Sequence, residues 1–131
     1  MNKVELEAAI ESYFSVHLDK DYWESLPVEK RSGAIIMALG DIGAMVTGLT
    51  IDKIKSADSA AVKAVAEQAV FLSRHYETIA DGKVATSEGV EGVSAGYTLI
   101  GSSFGISPRA ELFIKQAKRE FLYNSVRLQR G

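Results

Sequence analysis

The chain has 131 residues, 47% of them hydrophobic and 24% charged, with a net charge of −2 and no cysteine. That length implies one domain, residues 1–131, with room for a modest core. The near-neutral charge gives no bulk electrostatic case for nucleic acid or an anionic membrane, and the missing thiols exclude a disulfide framework, a thiolate metal site and a cysteine nucleophile.

In chain order, Leu6, Ile10, Tyr13 and Phe14 predict a short helix over residues 3–16, with Glu5, Glu7 and Glu11 off its apolar face. The opening residues lack the basic-then-apolar layout of a signal peptide. Residues 17–26 break the helical period. Asp19, Asp21 and Ser25 are turn and cap formers, and Pro27 suits the first turn of the next helix. A second helix is expected over residues 27–46, with Ile35, Leu39, Ile42 and Val46 as its stripe. Gly33, Gly40 and Gly43 lie inside it, each costing about 1 kcal/mol relative to alanine. Clustered with Ala44 on one side, they let another backbone approach closely; packing within the chain is the first expectation and a contact between subunits the second. Gly48 ends the helix, and residues 50–56 form a connector.

Asp58 or Ser59 caps a third helix that ends near Asp81, with Gly82 just past its end. Its stripe is Val62, Val65, Ala69, Leu72, Tyr76 and Ile79, and its many alanines permit close packing. Residues 82–106 hold six of the eleven glycines and form an arm too long to be an idle loop. Within it, Val93, Ser94, Ala95, Gly96, Tyr97, Thr98 and Leu99 alternate with the period of an extended strand, and unpaired strand edges seek a partner chain. Ser107 and Pro108 open a last helix over residues 107–128, with Ala110, Ile114, Ala117 and Phe121 inward and Phe113 beside them. There Lys115, Lys118, Arg119, Arg127 and Arg130 outnumber Glu111 and Glu120, a bias that also complements the helix dipole. The expected fold is all-α: a small bundle of about four helices with a long glycine-rich, partly β-like arm before the last one. Trp23, Leu26, Leu39, Leu72, Tyr76 and Phe121 are the expected core.

No catalytic constellation emerges. Neither His17 nor His75 sits in a metal-ligand pattern, and a Tyr22–His17 or His75–Glu77 contact would signal nothing. There is no nucleophile elbow. The carboxylate pairs Asp19 with Asp21 and Glu88 with Glu91 fall in loops without an apolar pocket to separate their pKa values. Gly89, Gly92, Gly96, Gly101 and Gly105 are not followed by the Gly-Lys-Ser/Thr of a phosphate cradle. No apolar run reaches the roughly 18 residues of a membrane span, and the short turn of Ile51, Lys53, Ile54 and Lys55 is too brief for a membrane surface. The basic last helix, with Phe121 and Tyr123 near Arg127 and Arg130, has the residue types that stack and pair with single-stranded nucleic acid. An assembly subunit is the first expectation, with no enzyme activity, no cofactor, no metal and no small-molecule substrate. A single-stranded nucleic-acid-binding module is the alternative, and a small helical regulator acting by protein contact a third.

Two runs carry a family resemblance. The first is His17 through Lys30, with Trp23, Leu26 and Lys30 at the first, fourth and eighth positions of a turn into the alanine-rich helix of Ala34, Ile35, Met37, Ala38, Asp41 and Ile42. The second joins Gln68 through Glu77 to a tract from Val84 to Tyr97, followed by Ser107, Pro108, Arg109 and Ala110 at the start of the last helix. In order and spacing, over residues 13–127, they resemble tailed-bacteriophage head–tail connector (adaptor, or head completion) proteins. The resemblance implies a virion structural protein of the neck, made in the bacterial host cytoplasm. It implies a cyclic ring of about twelve copies, each contact heterologous and closing by rotation. The implied partners are other copies of the chain, the portal protein and the next neck or tail-completion protein, with genomic DNA passing through the channel. Some members of that family are labelled single-strand DNA-binding, which keeps the alternative open. Val84, Val90, Val93, Tyr97 and Leu99 of the arm, with Arg127 and Arg130, are the expected assembly contacts.

Overall fold

The computed structural model describes residues 1–80 and 105–130, with side chains for residues 1–76 and 105–122. Val84, Val90, Val93, Tyr97 and Leu99 lie outside the described residues, as do the side chains of Arg127 and Arg130. Among the described residues are five α-helices and one 3-10 turn, and no strand: α1 (Lys3–Phe14), α2 (Lys20–Ser25), α3 (Val28–Met45), the turn Ile51–Lys53, α4 (Ala60–Ala80) and α5 (Pro108–Arg130). The all-α architecture expected from the periodicity is the one observed.

α1 begins in a reciprocal cap. The Asn2 side chain accepts from the Glu5 backbone N–H, and the Glu5 carboxylate accepts from the Asn2 backbone N–H, both at 2.8 Å. The helix stops at Phe14, two residues short of the expected end, because the chain turns there to carry His17 inward. Residues 20–25, expected as an irregular stretch, form the short helix α2. So short a helix is marginal on its own and is held by tertiary packing. The packing comes from Trp23, which is fully buried and stacked on Phe14 with centroids 4.8 Å apart. Pro27 occupies the cap position of α3 rather than its first turn, and its carbonyl accepts from the Arg31 N–H at 3.0 Å.

α4 is the axle of the fold, packed by α1, α3 and α5. From Ala60 to Val70 every residue except Lys63 is buried. A helix with three neighbours buries most of its circumference, and the alanines let those neighbours come close. Leu72 is buried as expected, while Leu26, Leu39 and Phe121 are partly buried and packed against the core. Tyr76 is a correction: expected in the core, it is 49% exposed. Gln68 already lies level with Gly105 and Ser107, so Tyr76, two turns further on, has passed the start of α5.

The α3–α4 connection shows which glycines are needed. Gly48 has φ +85°, a left-handed conformation that favours glycine. At Gly43 a side chain's Cβ would meet the Leu49 carbonyl at 3.2 Å, so the expected close approach within the chain is real there. A Cβ at Gly33 or Gly40 would meet no atom of the described residues outside its own helix turn within 4 Å, so no close approach among them requires these two glycines. Capped helix starts finish the bundle, one of them by a long-range bond. The Ser107 hydroxyl accepts from the Ala110 N–H at 3.2 Å, as the Ser-Pro start implied. At the first turn of α4, Ser59 Oγ accepts from the Val62 N–H, and the Glu120 carboxylate, sixty residues away, accepts from the Ala60 N–H at 3.2 Å.

Candidate functional site

The polar side chains buried in this fold converge on two consecutive residues of α4. Glu67 is 2% exposed. Its Oε2 accepts from the Tyr13 hydroxyl at 2.5 Å, His17 Nε2 at 2.7 Å and Arg109 Nε at 3.2 Å. α1 supplies the tyrosine, the α1–α2 turn the histidine and the first turn of α5 the arginine. A buried carboxylate is costly unless paired and hydrogen-bonded, and here it is both.

The imidazole's hydrogen bonds settle its tautomer. The Asp19 backbone N–H donates to His17 Nδ1 at 2.9 Å, so Nδ1 is the acceptor and the proton sits on Nε2, facing Glu67. Phe14 and Tyr13 pack on the ring at centroid distances of 5.0 and 5.4 Å. Asp19 in turn holds Arg74 at 2.7 Å, and that guanidinium lies 3.8 Å over the Tyr22 ring. Tyr22 therefore serves Arg74, not His17. Burial pushes the Tyr13 hydroxyl up to about 12, helped by the hydrogen bond and negative charge of Glu67, with Arg109 opposing. Arg109 is raised above its ordinary value by its hydrogen bonds to Tyr13 and Glu67 and by the charge of Glu67.

Gln68 is fully buried and neutral. Its Nε2 donates to Asp41 Oδ2 at 2.9 Å and to the Gly105 carbonyl at 2.7 Å, and its Oε1 accepts from the Ser107 N–H at 2.8 Å. One amide thus ties α3 to the residues that lead into α5. Gly105 has φ +89°, with Gly48 the second left-handed glycine among the described residues.

Both centres satisfy their hydrogen bonds inside the protein, with all three donors on Glu67 coming from the chain itself. Among the described residues no cluster of three or more His, Asp or Glu could hold a metal ion. Asp19 is engaged by Arg74 and Asp21 is exposed in the first turn of α2. Glu88 and Glu91 lie outside the described residues. Sequence reasoning assigned no polar role to Glu67, Gln68 or Arg109, although Gln68 and Arg109 stand in the runs that carry the family resemblance; the one local signal was the four-residue spacing of Tyr13 and His17.

Outside, charge is divided between two ends. Residues 1–30 carry seven acidic and three basic side chains; residues 105–131 carry two acidic and six basic. Lys115, Lys118 and Arg119 are exposed on α5 beside Leu112 and Leu122, which are 62% and 64% exposed. These three basic residues make no ion pair with another described residue. An open groove of about 630 Å³ runs between α1 and residues 52–57, with Ala8, Ile54 and Ala57 as apolar lining and Glu5, Asp52 and Lys55 as charged lining.

No family model, no curated protein and no solved structure matches this chain.

Proposed function

We propose that the chain is a structural subunit of a tailed-phage head–tail connector, a ring component that docks on the portal, continues the DNA channel and presents a platform to the next neck protein. The observation that supports an assembly role best is the use of the buried polar groups. Glu67 and Gln68 draw α1, the α1–α2 turn, α3 and α5 onto α4, and the hydrogen bonds they make hold the body together. What the molecule offers to the outside is charge and exposed apolar residues on helical faces, the means of contact between chains. The order of the two sequence runs described above supports the connector reading.

Immunogold electron microscopy of virions with detached tails, using antibody to this protein, tests the reading. Label at the portal vertex is the expected result; abundant protein in infected cells with unlabelled particles would overturn it. The exposed Lys115, Lys118 and Arg119 favour single-stranded nucleic-acid binding as the second reading, and salt-dependent oligonucleotide binding would then be measured.

A further inference from the structure

We infer that the outer face of α5 contacts the phosphate backbone of double-stranded DNA through Lys115, Lys118 and Arg119, without reading its sequence. The inference deepens the connector reading by naming the helix face turned to the DNA channel, and rests on it.

All three side chains are exposed, between the equally exposed Leu112 and Leu122. Lys115 and Arg119 stand one turn apart on the side of α5 opposite Ala110, Ile114 and Ala117, the residues it buries against α4. Lys118 lies at the edge of that side. Helix stability does not account for these cations. They occupy the middle of Pro108–Arg130, whereas the helix dipole favours cations only in the last turn. Like charges four residues apart, as at Lys115 and Arg119, weaken a helix. Nor are they neutralised nearby, since none of them makes an ion pair with another described residue. Of the two acids on the same helix, Glu120 accepts from the Ala60 N–H and Glu111 is half-buried. Over residues 105–131 six basic side chains face two acidic ones, so the local field is positive although the whole chain is acidic. An uncompensated row of exposed cations is complementary in charge to a polyanion.

The neighbouring aromatic rings decide the kind of nucleic acid. Single strands are held by bases stacked on open aromatic faces. Phe113 and Phe121 are instead packed against the core. Lys63 Nζ stands 5.9 Å over the Phe113 ring, which Tyr13 meets edge-to-face at 6.5 Å, and Lys53 Nζ stands 5.6 Å over Phe121. Among the described residues α5 thus presents charge and no stacking platform. That suits the phosphates of a duplex, whose bases are already stacked on one another. Lysine meets a phosphate as a point charge on a flexible stem, and such contacts carry no base readout. Contacts of this kind let DNA slide, which is what the wall of a channel requires.

Fluorescence anisotropy with the full chain and labelled duplexes of unrelated sequence tests the inference. The wild type is expected to bind these duplexes alike, and to lose affinity about fortyfold between about 50 and about 200 mM salt, as three phosphate contacts require. K115Q/K118Q/R119Q is expected to lower affinity about tenfold or more and to flatten the salt dependence. K3Q/K30Q removes two exposed cations elsewhere and is expected to change neither. Circular dichroism checks that both variants are folded. Absence of duplex binding at low salt, equal loss in the two variants, or tighter binding of the matching single strand overturns the inference. Vertex label on virions together with any of these results removes the DNA contact and leaves the connector reading standing. Unlabelled particles with duplex binding intact overturn the channel assignment along with that reading.

Discussion

Glu67 and Gln68 are neighbours on one helix, equally buried, and they fasten the same bundle by different chemistry. Glu67 gathers a hydroxyl, an imidazole and a guanidinium on one ionised oxygen. Gln68 uses a neutral amide, donor to two oxygens and acceptor from one N–H. The ionic centre holds α1, the α1–α2 turn and α5; the neutral centre holds α3 and the residues just before α5, Gly105 and Ser107. The difference teaches that one fold can keep part of its polar core responsive to pH and the rest indifferent to it. A charge in the interior is stabilised only while its partners stay in place, whereas an amide saturated at both ends has no ionisation to lose.

The widest separation between the two is expected from truncation. Glu67→Ala leaves the Tyr13 hydroxyl and His17 Nε2 without an acceptor and removes the partner of Arg109, and is expected to cost about 4 kcal/mol in denaturant unfolding. Gln68→Leu keeps the bulk and strips three hydrogen bonds from Asp41, Gly105 and Ser107, for about 3 kcal/mol by the same measurement. A loss under about 1 kcal/mol at either position would show that water or a side-chain shift replaces the lost partner.

The smallest effect separates the centres by pH. Tyr13 is raised in the folded state from 10.0 to about 12. Between those values the native protein keeps a proton that the unfolded chain releases, so stability falls as pH rises through that window and is fully present below it. Tyr13→Phe is expected to flatten that decline in thermal melts at alkaline pH, while Gln68→Leu leaves its slope unchanged. An unaltered decline in Tyr13→Phe would place its origin elsewhere.

Much of this fold was legible in the order of residues. The apolar periodicities gave α1, α3, α4 and α5, Ser107 with Pro108 marked the start of α5, and Gly48 the turn after α3. α2 was not legible, since Asp19, Asp21 and Ser25 are good turn formers and only the stacking of Trp23 on Phe14 makes a helix of them. The exposure of Tyr76 was hidden because periodicity tells which face of a helix is apolar, not where its neighbour begins. The two polar centres were hidden for a related reason. A glutamate and a glutamine in mid-helix read as a solvated face until a third neighbour covers that face. Their partners lie 27 to 54 residues away, beyond the reach of any local pattern.

The cap at the start of α4 has a consequence for how the protein is made. Ala60 receives its acceptor from Glu120, and the buried groups of Glu67 and Gln68 await Arg109, Gly105 and Ser107. During synthesis, at about 5–20 residues per second, the central helix leaves the ribosome several seconds before the segment that completes it. Over that interval its alanine-rich surface lacks the cover of α5 and its carboxylate lacks Arg109. The nascent chain is therefore committed to its final packing only when the last helix has emerged, and a ribosome stalled before residue 105 would carry an axle with no third wall.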